Sequence, residues 1–367
     1  MRSLYHNSIS LYCDIIDKKE DAFMTLKIKP KPKQRVLITS DVHGNLVLFK
    51  KILKDMKFST SDILIIDGDM SEKGNDSIGL FKYIIELKKD FQVYATLGNC
   101  DDLINFLRDD NRNRGMENYM DTRGNTILSE FRKEFGPYTN FMELKRYAFD
   151  HYPEIFDFVM DLPVIIESPY FTCVHAGLLD HENQDRDFNL KQPRFFDYNA
   201  SFDKPVIVGH YPVCLYSTSY MSHAPLFDPK KNIWAIDGGN VIKQEGQLNV
   251  LEFIDSDVSV HSFDLLEYVS LGIVQSREDR VHLNWEDLDI EITTPGDEFS
   301  LCTHLSTGNQ LEIFNEFLDF ENNVLTSDYT NSQVEVKEND VVHIIKEASS
   351  GYYVKCNSFI GWLLKPL

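Results

Sequence analysis

The first third of the chain alternates short apolar runs with segments whose apolar residues recur at helical spacing. The apolar runs are residues 36–38, 63–66 and 93–97, and the helical patterns follow at 46–56, 78–87 and 103–107. A polar loop separates each run from the helical pattern behind it. Strand, loop and helix repeated in this way predict a right-handed α/β arrangement with buried strands.

The middle of the chain changes this pattern twice. Residues 108–150 are charged and irregular apart from an amphipathic stretch at 131–135, and we interpret them as an insertion over a cleft or a helical excursion. The chain then becomes strand-rich, with apolar segments at 164–166, 170–174, 205–208, 233–236, 249–254 and 258–263. Two sheets packed face to face and flanked by helices account for both halves, so we predict a four-layer α/β/β/α sandwich.

Composition divides the chain into three parts. We predict a polar leader at residues 1–33, the α/β sandwich at 34–264 and an acidic, mostly β appendage at 265–367. The appendage holds 6 Lys and Arg against 18 Asp and Glu, which is more than half of the chain's excess negative charge. Its short apolar segments at 341–345, 351–354 and 361–364 indicate strands, and the last of them resembles bacterial SH3-like domains.

Charge and cysteine content exclude several classes of protein. A net charge of −21 disfavours nucleic-acid binding, because proteins that grip a phosphate backbone concentrate Lys and Arg on one face. The six cysteines lie far apart, which disfavours a disulfide framework or a thiolate zinc site. Neither a signal-peptide pattern nor an apolar run long enough for a bilayer is present, so we expect a cytoplasmic protein without membrane partners.

Five loops carry metal-ligating residue types at the carboxyl ends of predicted strands. These loops hold Asp41 with His43, Asp69, Asn99, His175 and His210. Open α/β sheets bind ligands outside the carboxyl ends of their strands, so we expect the loops to converge. Each loop alone is ordinary, since Gly-Asp and Gly-Asn often mark turns. The ordered set, however, indicates a metal site.

This ordered set resembles the calcineurin-like metallophosphoesterase superfamily over residues 35–263. The matching motifs are Asp41-Val42-His43-Gly44-Asn45, Gly68-Asp69, Gly98-Asn99-Cys100-Asp101, Val174-His175-Ala176-Gly177-Leu178 and Gly209-His210. Other branches often place a second histidine where this chain has Pro212. The chain is therefore most similar to the phosphoprotein (Ser/Thr) phosphatase branch and its bacterial relatives.

The resemblance implies two divalent metal ions, with Mn²⁺ as the first expectation and iron or zinc as alternatives. Asp41, His43 and Asp69 would hold the first ion. Asp69 would bridge to the second ion, which Asn99, His175 and His210 would complete. A hydroxide bridging the two ions would be the nucleophile.

Two motifs depart from the family pattern. Phosphoprotein phosphatases carry Asp-Arg after Gly-Asp and His-Glu after Gly-Asn, whereas this chain has Glu72-Lys73 and Cys100-Asp101. The family histidine is the expected proton donor, and a thiol is a weaker one. We predict catalytic roles for Asp69, Lys73, Asn99, Cys100 and Asp101, and phosphate binding by Lys73, Asn99, Arg186 and Arg194.

Cys100 leaves the substrate open. Either the leaving group is better than an alkoxide, or Asp101 assists, or turnover is slow. We predict a phosphomonoesterase of the Ser/Thr protein phosphatase type, acting on a phosphoprotein or a small phosphoester. A phosphodiesterase or a dinucleoside polyphosphate hydrolase is the alternative. In a different class, the chain would be a non-catalytic scaffold whose C-terminal appendage binds a protein partner.

Overall fold

The computed structural model describes residues 25–137, 139–180 and 184–366. Most of the predicted leader, residues 1–24, lies outside these ranges. The rest of the leader contains strand β1, Thr25–Lys27, which its polar sequence did not predict. This strand pairs in parallel with a strand of the second sheet, so these three residues are part of the sandwich.

The first sheet carries the predicted α/β repeat. Its strands are β2 Arg35–Thr39, β3 Ile63–Asp67, β4 Gln92–Thr96, β11 Leu248–Ile254 and β12 Asp257–Phe263. Their order is β12–β11–β2–β3–β4, and β2, β3 and β4 are parallel. Helices α1 Leu46–Asp55 and α2 Ser77–Leu87 connect the parallel strands, as the sequence pattern predicts.

The second sheet brings two further strand ends to one edge. Its strands after β1 are β5 Ile165–Glu167, β6 Thr172–Val174, β7 Val206–Val208, β9 Leu226–Asp228 and β10 Ile233–Ala235. Helix α8, Arg186–Lys191, lies between β6 and β7 in the sequence. The order is β1–β5–β6–β7–β10–β9, and β6, β7 and β10 are parallel. Their carboxyl ends therefore point the same way.

The alternation of side chains along the strands packs the two sheets face to face. Ile63 and Ile65 of β3 share a buried cluster with Ile207 of the second sheet. Leu64 and Ile66 of the same strand lie in a different cluster, which also holds the apolar faces of the helices. Because successive strand residues point to opposite faces, β3 is covered on both sides. The predicted four-layer sandwich is confirmed.

Residues 102–160 form a helical excursion. Its helices are α3 Asp102–Phe106, α4 Asn113–Arg123, α5 Ile127–Phe135, α6 Phe141–His151 and α7 Pro153–Met160. The sequence pattern indicates helices at 103–107, which matches α3, and at 131–135, within α5. Helix α4 buries only Met116 and Met120, so its apolar periodicity is too weak to identify it.

The C-terminal region is mostly β, as predicted. Its strands are β13 His282–Leu283, β14 Ile290–Thr294, β15 Phe299–His304, β16 Gln310–Phe314, β17 Leu318–Asp319, β18 Val324–Leu325, β19 Tyr329–Thr330, β20 His343–Glu347, β21 Gly351–Cys356 and β22 Phe359–Leu364. Strand β8, Met221–Ser222, precedes the predicted boundary yet pairs with β22. The boundary at 264 and 265 and the SH3-like end stay predictions. Within the described ranges, no helix is long and apolar enough to span a bilayer.

Candidate metal centre

The predicted ligands lie just beyond the carboxyl ends of five strands. Asp41 and His43 follow β2, Asp69 follows β3, Asn99 follows β4, His175 follows β6 and His210 follows β7. The first sheet therefore supplies four of these residues and the second sheet supplies two. Asp41, His43, Asp69 and His175 are buried. Both sheets thus direct their ligand loops to the same end of the sandwich.

One group of donor atoms joins the loops that follow β2 and β3. Nε2 of His43 lies 3.9 Å from Oδ1 of Asp41 and 3.9 Å from Oδ2 of Asp69. Atoms that bind one transition-metal ion at about 2.0–2.2 Å are at most about 4.4 Å apart, so His43 is close enough to share an ion with either carboxylate. Oδ1 of Asp41 is buried and has no hydrogen-bond partner among the described residues, which favours a cation beside it.

A second group of donor atoms joins Asp69 to three other loops. Nε2 of His175 lies 3.2 Å from Oδ1 of Asp69 and 3.1 Å from Oδ1 of Asn99. Nδ1 of His210 lies 2.8 Å from the same oxygen of Asn99. Four donor atoms therefore converge on one point, which is the arrangement that a second ion requires.

The carboxylate of Asp69 belongs to both groups. Its Oδ2 faces His43, whereas its Oδ1 faces His175 and also accepts a hydrogen bond of 2.9 Å from the amide of Cys100. A carboxylate with one oxygen toward each group is suited to bridge two ions. Imidazole, carboxylate and amide donors together suit Mn²⁺, iron or zinc. The residues present therefore fit a dinuclear metal centre.

Two backbone carbonyls set the orientation of two of the three predicted ligand histidines, His43 and His175. Nδ1 of His43 lies 3.0 Å from the carbonyl of Ser71, and Nδ1 of His175 lies 3.0 Å from the carbonyl of Asp67. A carbonyl can only accept, so each Nδ1 carries a proton and each Nε2 is turned toward the site. Such partners fix the tautomer and raise the basicity of a metal-binding histidine.

The electrostatic environment keeps two of the three imidazoles neutral. Burial lowers the pKa of His43 and of His210 to about 3, so both can offer a lone pair to a metal. Burial also acts on His175, but the carboxylates of Asp69 and Asp41 outweigh it and raise the pKa of His175 to about 10. A metal ion must therefore displace a proton from His175.

Four of the ligands have a strained backbone. The φ angles are +53° at Asp41, +48° at His43, +49° at Asp69 and +65° at His210. Residues other than glycine rarely adopt this left-handed region, and each instance costs about 1–3 kcal/mol. Such strain persists where a site requires it, so its concentration in the ligand loops supports their functional role.

Two glycines allow the loops to approach each other closely. A Cβ atom on Gly98 would lie 2.1 Å from the amide nitrogen of Asp69. A Cβ atom on Gly209 would lie 2.2 Å from Oδ2 of Asp41. No real side chain tolerates such contacts with backbone or with a ligand carboxylate. Glycine at both positions is thus a condition for the donor atoms to meet.

Lys73 and Cys100 also reach the donor atoms. Nζ of Lys73 lies 3.2 Å from Nε2 of His43, although Lys73 as a whole residue is exposed. Sγ of Cys100 lies within 4.8 Å of donor atoms of His43 and Asp69. Burial raises the pKa of Cys100 well above its usual value, so the thiol is protonated. Both predicted catalytic residues are therefore at the centre.

Asp101 is adjacent to the centre but turned toward the backbone. Its Oδ1 accepts hydrogen bonds of 3.0 Å from the amides of Met70 and Ser71, and its Oδ2 accepts one of 3.2 Å from Gly98. These bonds tie the loop after β3 to the loop after β4. The geometry supports a positioning role for Asp101, whereas its predicted role as a proton donor stays untested.

Both arginines predicted to bind phosphate are engaged by carboxylates. Arg186 pairs with both oxygens of Asp102 at 2.9 and 2.7 Å. Arg194 pairs with Asp197 at 2.9 Å and with Glu286 of the C-terminal region at 3.0 Å. The sequence pattern did not indicate these partners, because loop arginines have no local signal for their direction. Phosphate binding by either arginine stays a prediction.

Two residues outside the predicted site lie close to the ligand loops. Asn240 donates through its side-chain amide to the carbonyls of Asp41 at 3.2 Å and Val42 at 2.9 Å. Asp237 is buried, and among the described residues its Oδ2 has no hydrogen-bond partner. The Asp-Gly-Gly sequence directly after the predicted strand at 233–236 was the available signal, although it is equally typical of a turn.

Comparison with known proteins places this geometry in a family. The model of the calcineurin-like phosphoesterase family matches residues 34–232, which is more than half of the 367 residues. A search of curated proteins gave no match.

Several solved structures match part of the chain. One is a protein serine/threonine phosphatase from Saccharomyces cerevisiae with similarity to human phosphatase PP5. It is 12% identical in sequence, the match covers 67% of this chain and 85% of that chain, and the TM-score is 0.46. Another is provisionally assigned as a diadenosine tetraphosphatase. It is 18% identical in sequence, the match covers 65% of this chain and 98% of that chain, and the TM-score is 0.43. A metallophosphoesterase from Sphaerobacter thermophilus is 18% identical in sequence. The match covers 63% of this chain and 88% of that chain, with a TM-score of 0.39.

The family match covers every predicted ligand from Asp41 to His210. It also covers the strands whose carboxyl ends carry these ligands. The chain therefore belongs to the calcineurin-like phosphoesterases, a family of metal-dependent hydrolases that cleave phosphoester bonds.

Proposed function

We propose that the chain is a phosphomonoesterase that depends on two divalent metal ions. The ligands would be Asp41, His43, Asp69, Asn99, His175 and His210. The observation that carries this proposal is the carboxylate of Asp69, which faces one donor group with each oxygen. When bound, two such ions supply Lewis acidity and lower the pKa of water at the site.

Lys73 is the proposed phosphate-binding cation. Burial lowers the pKa of its ammonium, but the surrounding negative groups, Asp69 and Asp41 among them, outweigh burial and raise it. Lys73 is therefore charged at neutral pH and can pair with a phosphoryl oxygen. An ammonium is a point charge, so this contact lacks the paired hydrogen bonds of an arginine. Asn99 is the second proposed contact to the phosphate.

Proton donation to the leaving group is the weak point of this centre. Cys100 stands where related phosphatases carry histidine, and a thiol is a weak hydrogen-bond donor. The carboxylate of Asp101 is occupied by three backbone amides. The site therefore supports turnover of esters whose leaving group needs little protonation. This observation favours a dinucleoside polyphosphate as the second candidate substrate, since its leaving group is a phosphate rather than an alkoxide.

A substrate panel tests the proposal. The full chain with Mn²⁺ would be assayed on p-nitrophenyl phosphate, its bis-ester, a phosphoserine peptide and diadenosine tetraphosphate. The proposal predicts that p-nitrophenyl phosphate is hydrolysed faster than the bis-ester. Faster hydrolysis of the bis-ester would identify a phosphodiesterase, and preference for diadenosine tetraphosphate would favour the second candidate.

Replacement of Cys100 by histidine tests the account of proton donation. General acid catalysis is typically worth about 10²–10⁴-fold, so we expect Cys100→His to raise kcat on the phosphoserine peptide by at least about 10-fold. On p-nitrophenyl phosphate we expect little change, because p-nitrophenolate leaves without a proton. Cys302→Ala, which removes a buried thiol from the C-terminal region, is the matched control. An equal change of kcat on both substrates would refute the interpretation that Cys100 limits proton donation to the leaving group.

The scaffold hypothesis fits the observations less well. Donor atoms of Asp41, His43, Asp69, Asn99, His175 and His210 converge in two groups. A protein that acts only through its acidic C-terminal region has no need for these ligands or for the backbone strain that places them. Binding of a protein partner by the C-terminal region stays a proposal.

A further inference from the structure

The C-terminal region packs onto the loop that follows the last predicted ligand, His210. The carbonyl of Thr218 accepts from the amide of His282 at 2.8 Å, and the carbonyl of Ser219 accepts from the amide of Arg280 at 3.0 Å. Strand β8, a few residues further on, pairs with β22. The loop between His210 and β9 is therefore held by the C-terminal region along much of its length.

The same packing brings a carboxylate to the residue beside His210. Oε2 of Glu286 lies 3.0 Å from Nη1 of Arg194, and the hydroxyl of Tyr211 donates to Oε1 of Glu286. Nη1 of Arg194 also donates to the Tyr211 hydroxyl at 3.1 Å. Glu286, Arg194 and Tyr211 thus form a closed set of contacts, which we name the rim cluster.

The rim cluster is fixed in place from the C-terminal side. The amide of Glu286 donates to Oδ1 of Asn284 at 3.0 Å, which turns the chain at this point. The adjacent ring of Trp285 lies 3.6 Å from Nζ of Lys243, measured to the ring centroid. Lys243 in turn forms a buried ion pair of 2.5 Å with Asp328. Glu286 is therefore presented by an anchored segment.

The charges of the rim cluster bear on anion binding. Arg194 is paired with two carboxylates, Asp197 at 2.9 Å and Glu286 at 3.0 Å, so the three residues together carry a net negative charge. Burial and the hydrogen bond to Glu286 raise the pKa of Tyr211, so its hydroxyl keeps the proton that it donates. A phosphate that approached Arg194 would have to displace a carboxylate and would meet a like charge.

We propose that Glu286 is a specificity-determining residue, which neutralises Arg194 beside Tyr211, the neighbour of His210, and weakens the binding of ligands that carry further phosphates beyond the first. The C-terminal region is then part of the substrate site. This inference rests on the proposed function, because it places the phosphate-binding centre next to His210. It predicts a preference for ligands with one phosphate over ligands with a polyphosphate chain.

Equilibrium binding tests the inference without turnover. Calorimetry on the full chain with Mn²⁺ would compare orthophosphate with a methylene-bridged, non-hydrolysable analogue of diadenosine tetraphosphate. We expect Glu286→Gln to tighten binding of the analogue, relative to orthophosphate, by at least about three-fold, the range of a partly exposed ion pair. In the double variant Glu286→Gln with Arg194→Gln, the gain should disappear, because it depends on the Arg194 guanidinium, which in Glu286→Gln pairs with Asp197 as its one remaining carboxylate among the described residues.

Glu278→Gln is the matched control. Glu278 pairs with Arg280 at 3.0 Å in the same segment, so this variant removes the same charge without touching the rim cluster. An unchanged affinity ratio in Glu286→Gln, or an equal gain in Glu278→Gln, would overturn the inference. A protein that binds both anions with the expected ratios but hydrolyses neither p-nitrophenyl phosphate nor a phosphopeptide would instead refute the proposed function.

Discussion

Individual residues at this site combine burial, strain and close contact in a way that few positions in a protein tolerate. Asp41 is buried, has a φ of +53° and directs one oxygen toward His43. Its other oxygen accepts a hydrogen bond of 3.0 Å from the amide of His210, 169 positions away. Burial and an Oδ1 without a hydrogen-bond partner among the described residues are unfavourable for a carboxylate without a cation. A cation bound to the Asp41 carboxylate would offset these costs.

Gly209→Ala tests this arrangement directly. The new Cβ would lie 2.2 Å from Oδ2 of Asp41, so the Asp41 carboxylate must shift from its present position. We expect calorimetry to show that one of the two Mn²⁺ ions binds at least about 10-fold more weakly, as with the loss of a partner that orients a ligand.

The control for this variant is Gly308→Ala. Gly308 has a φ of +71°, and a Cβ there would meet no atom within 4 Å. Alanine at this position should lower stability slightly through backbone strain while Mn²⁺ affinity stays unchanged. If both variants bind Mn²⁺ like the wild type, the close contact between Gly209 and Asp41 has no role in metal binding.

Strands and helices position the site through a few contacts at their ends. Glu72 accepts from the amide of Ile127 at 2.9 Å at the start of α5. Glu130 of α5 accepts from the amides of Ser77 and Ile78, at 2.7 and 2.9 Å, at the start of α2. Glu72 thus caps the start of α5, and Glu130 of α5 caps the start of α2. The helical excursion therefore braces the loop that carries Lys73.

Glu130→Ala should therefore destabilise the protein. Two amides at the start of α2 lose their acceptor, and the loss of a helix cap typically costs about 1–2 kcal/mol. Urea unfolding measures this free energy. Glu154→Ala, at an exposed position in the first turn of α7, is the matched control and should change stability by less. An equal effect of the two substitutions would contradict the bracing role of Glu130.

An ion pair near the starts of β2 and β3 gives a pH dependence of known sign. Burial raises the pKa of Asp62, but hydrogen bonds from Arg35 and Ser59 outweigh it, so the pKa is lowered from its usual value. Stabilisation by a carboxyl with a lowered pKa is present above its unfolded pKa, near 3.8, and is lost as pH falls through the folded pKa.

Asp62→Asn should follow this sign. At pH 7 we expect the variant to be less stable by up to about 1 kcal/mol, the range of partly solvated pairs. The difference should shrink as pH falls below 4. Unfolding in urea at pH 7, 5 and 3 measures it, and a difference that grows toward acid would contradict the assignment.

Taken as a whole, the molecule has several contacts between its C-terminal region and the sandwich. Strand β8 pairs with β22, and Lys355 of β21 pairs with Asp264 at 2.7 Å. Lys355 is only 1% exposed, so this ion pair lies inside the joint. Glu286 of this region contacts Tyr211, the residue after His210, which is where we propose that the acidic region affects substrate choice.

The sequence predicts the sandwich well, and it identifies the loops whose donor atoms converge, because both depend on local signals. Each strand is a short apolar run, and Asp69 or His175 follows such a run directly. The position of Glu286 has no local signal, since its contact with Arg194 spans 92 positions. Strand β8 has only two residues and therefore no periodicity to detect. Contacts of this kind depend on tertiary packing, which sequence patterns do not show.

Titration with Mn²⁺ tests whether the ligand loops form a dinuclear centre that supports hydrolysis. The metal-free full chain would be titrated while calorimetry follows Mn²⁺ binding and an assay follows hydrolysis of p-nitrophenyl phosphate. We expect two Mn²⁺ ions per chain, with hydrolysis appearing as both bind. Asp69→Asn should weaken binding of both ions and lower activity at least about 100-fold, because even outer partners of ligands contribute 10–100-fold. Stoichiometric Mn²⁺ binding without hydrolysis of any aryl phosphate, or unchanged binding in Asp69→Asn, would contradict this expectation.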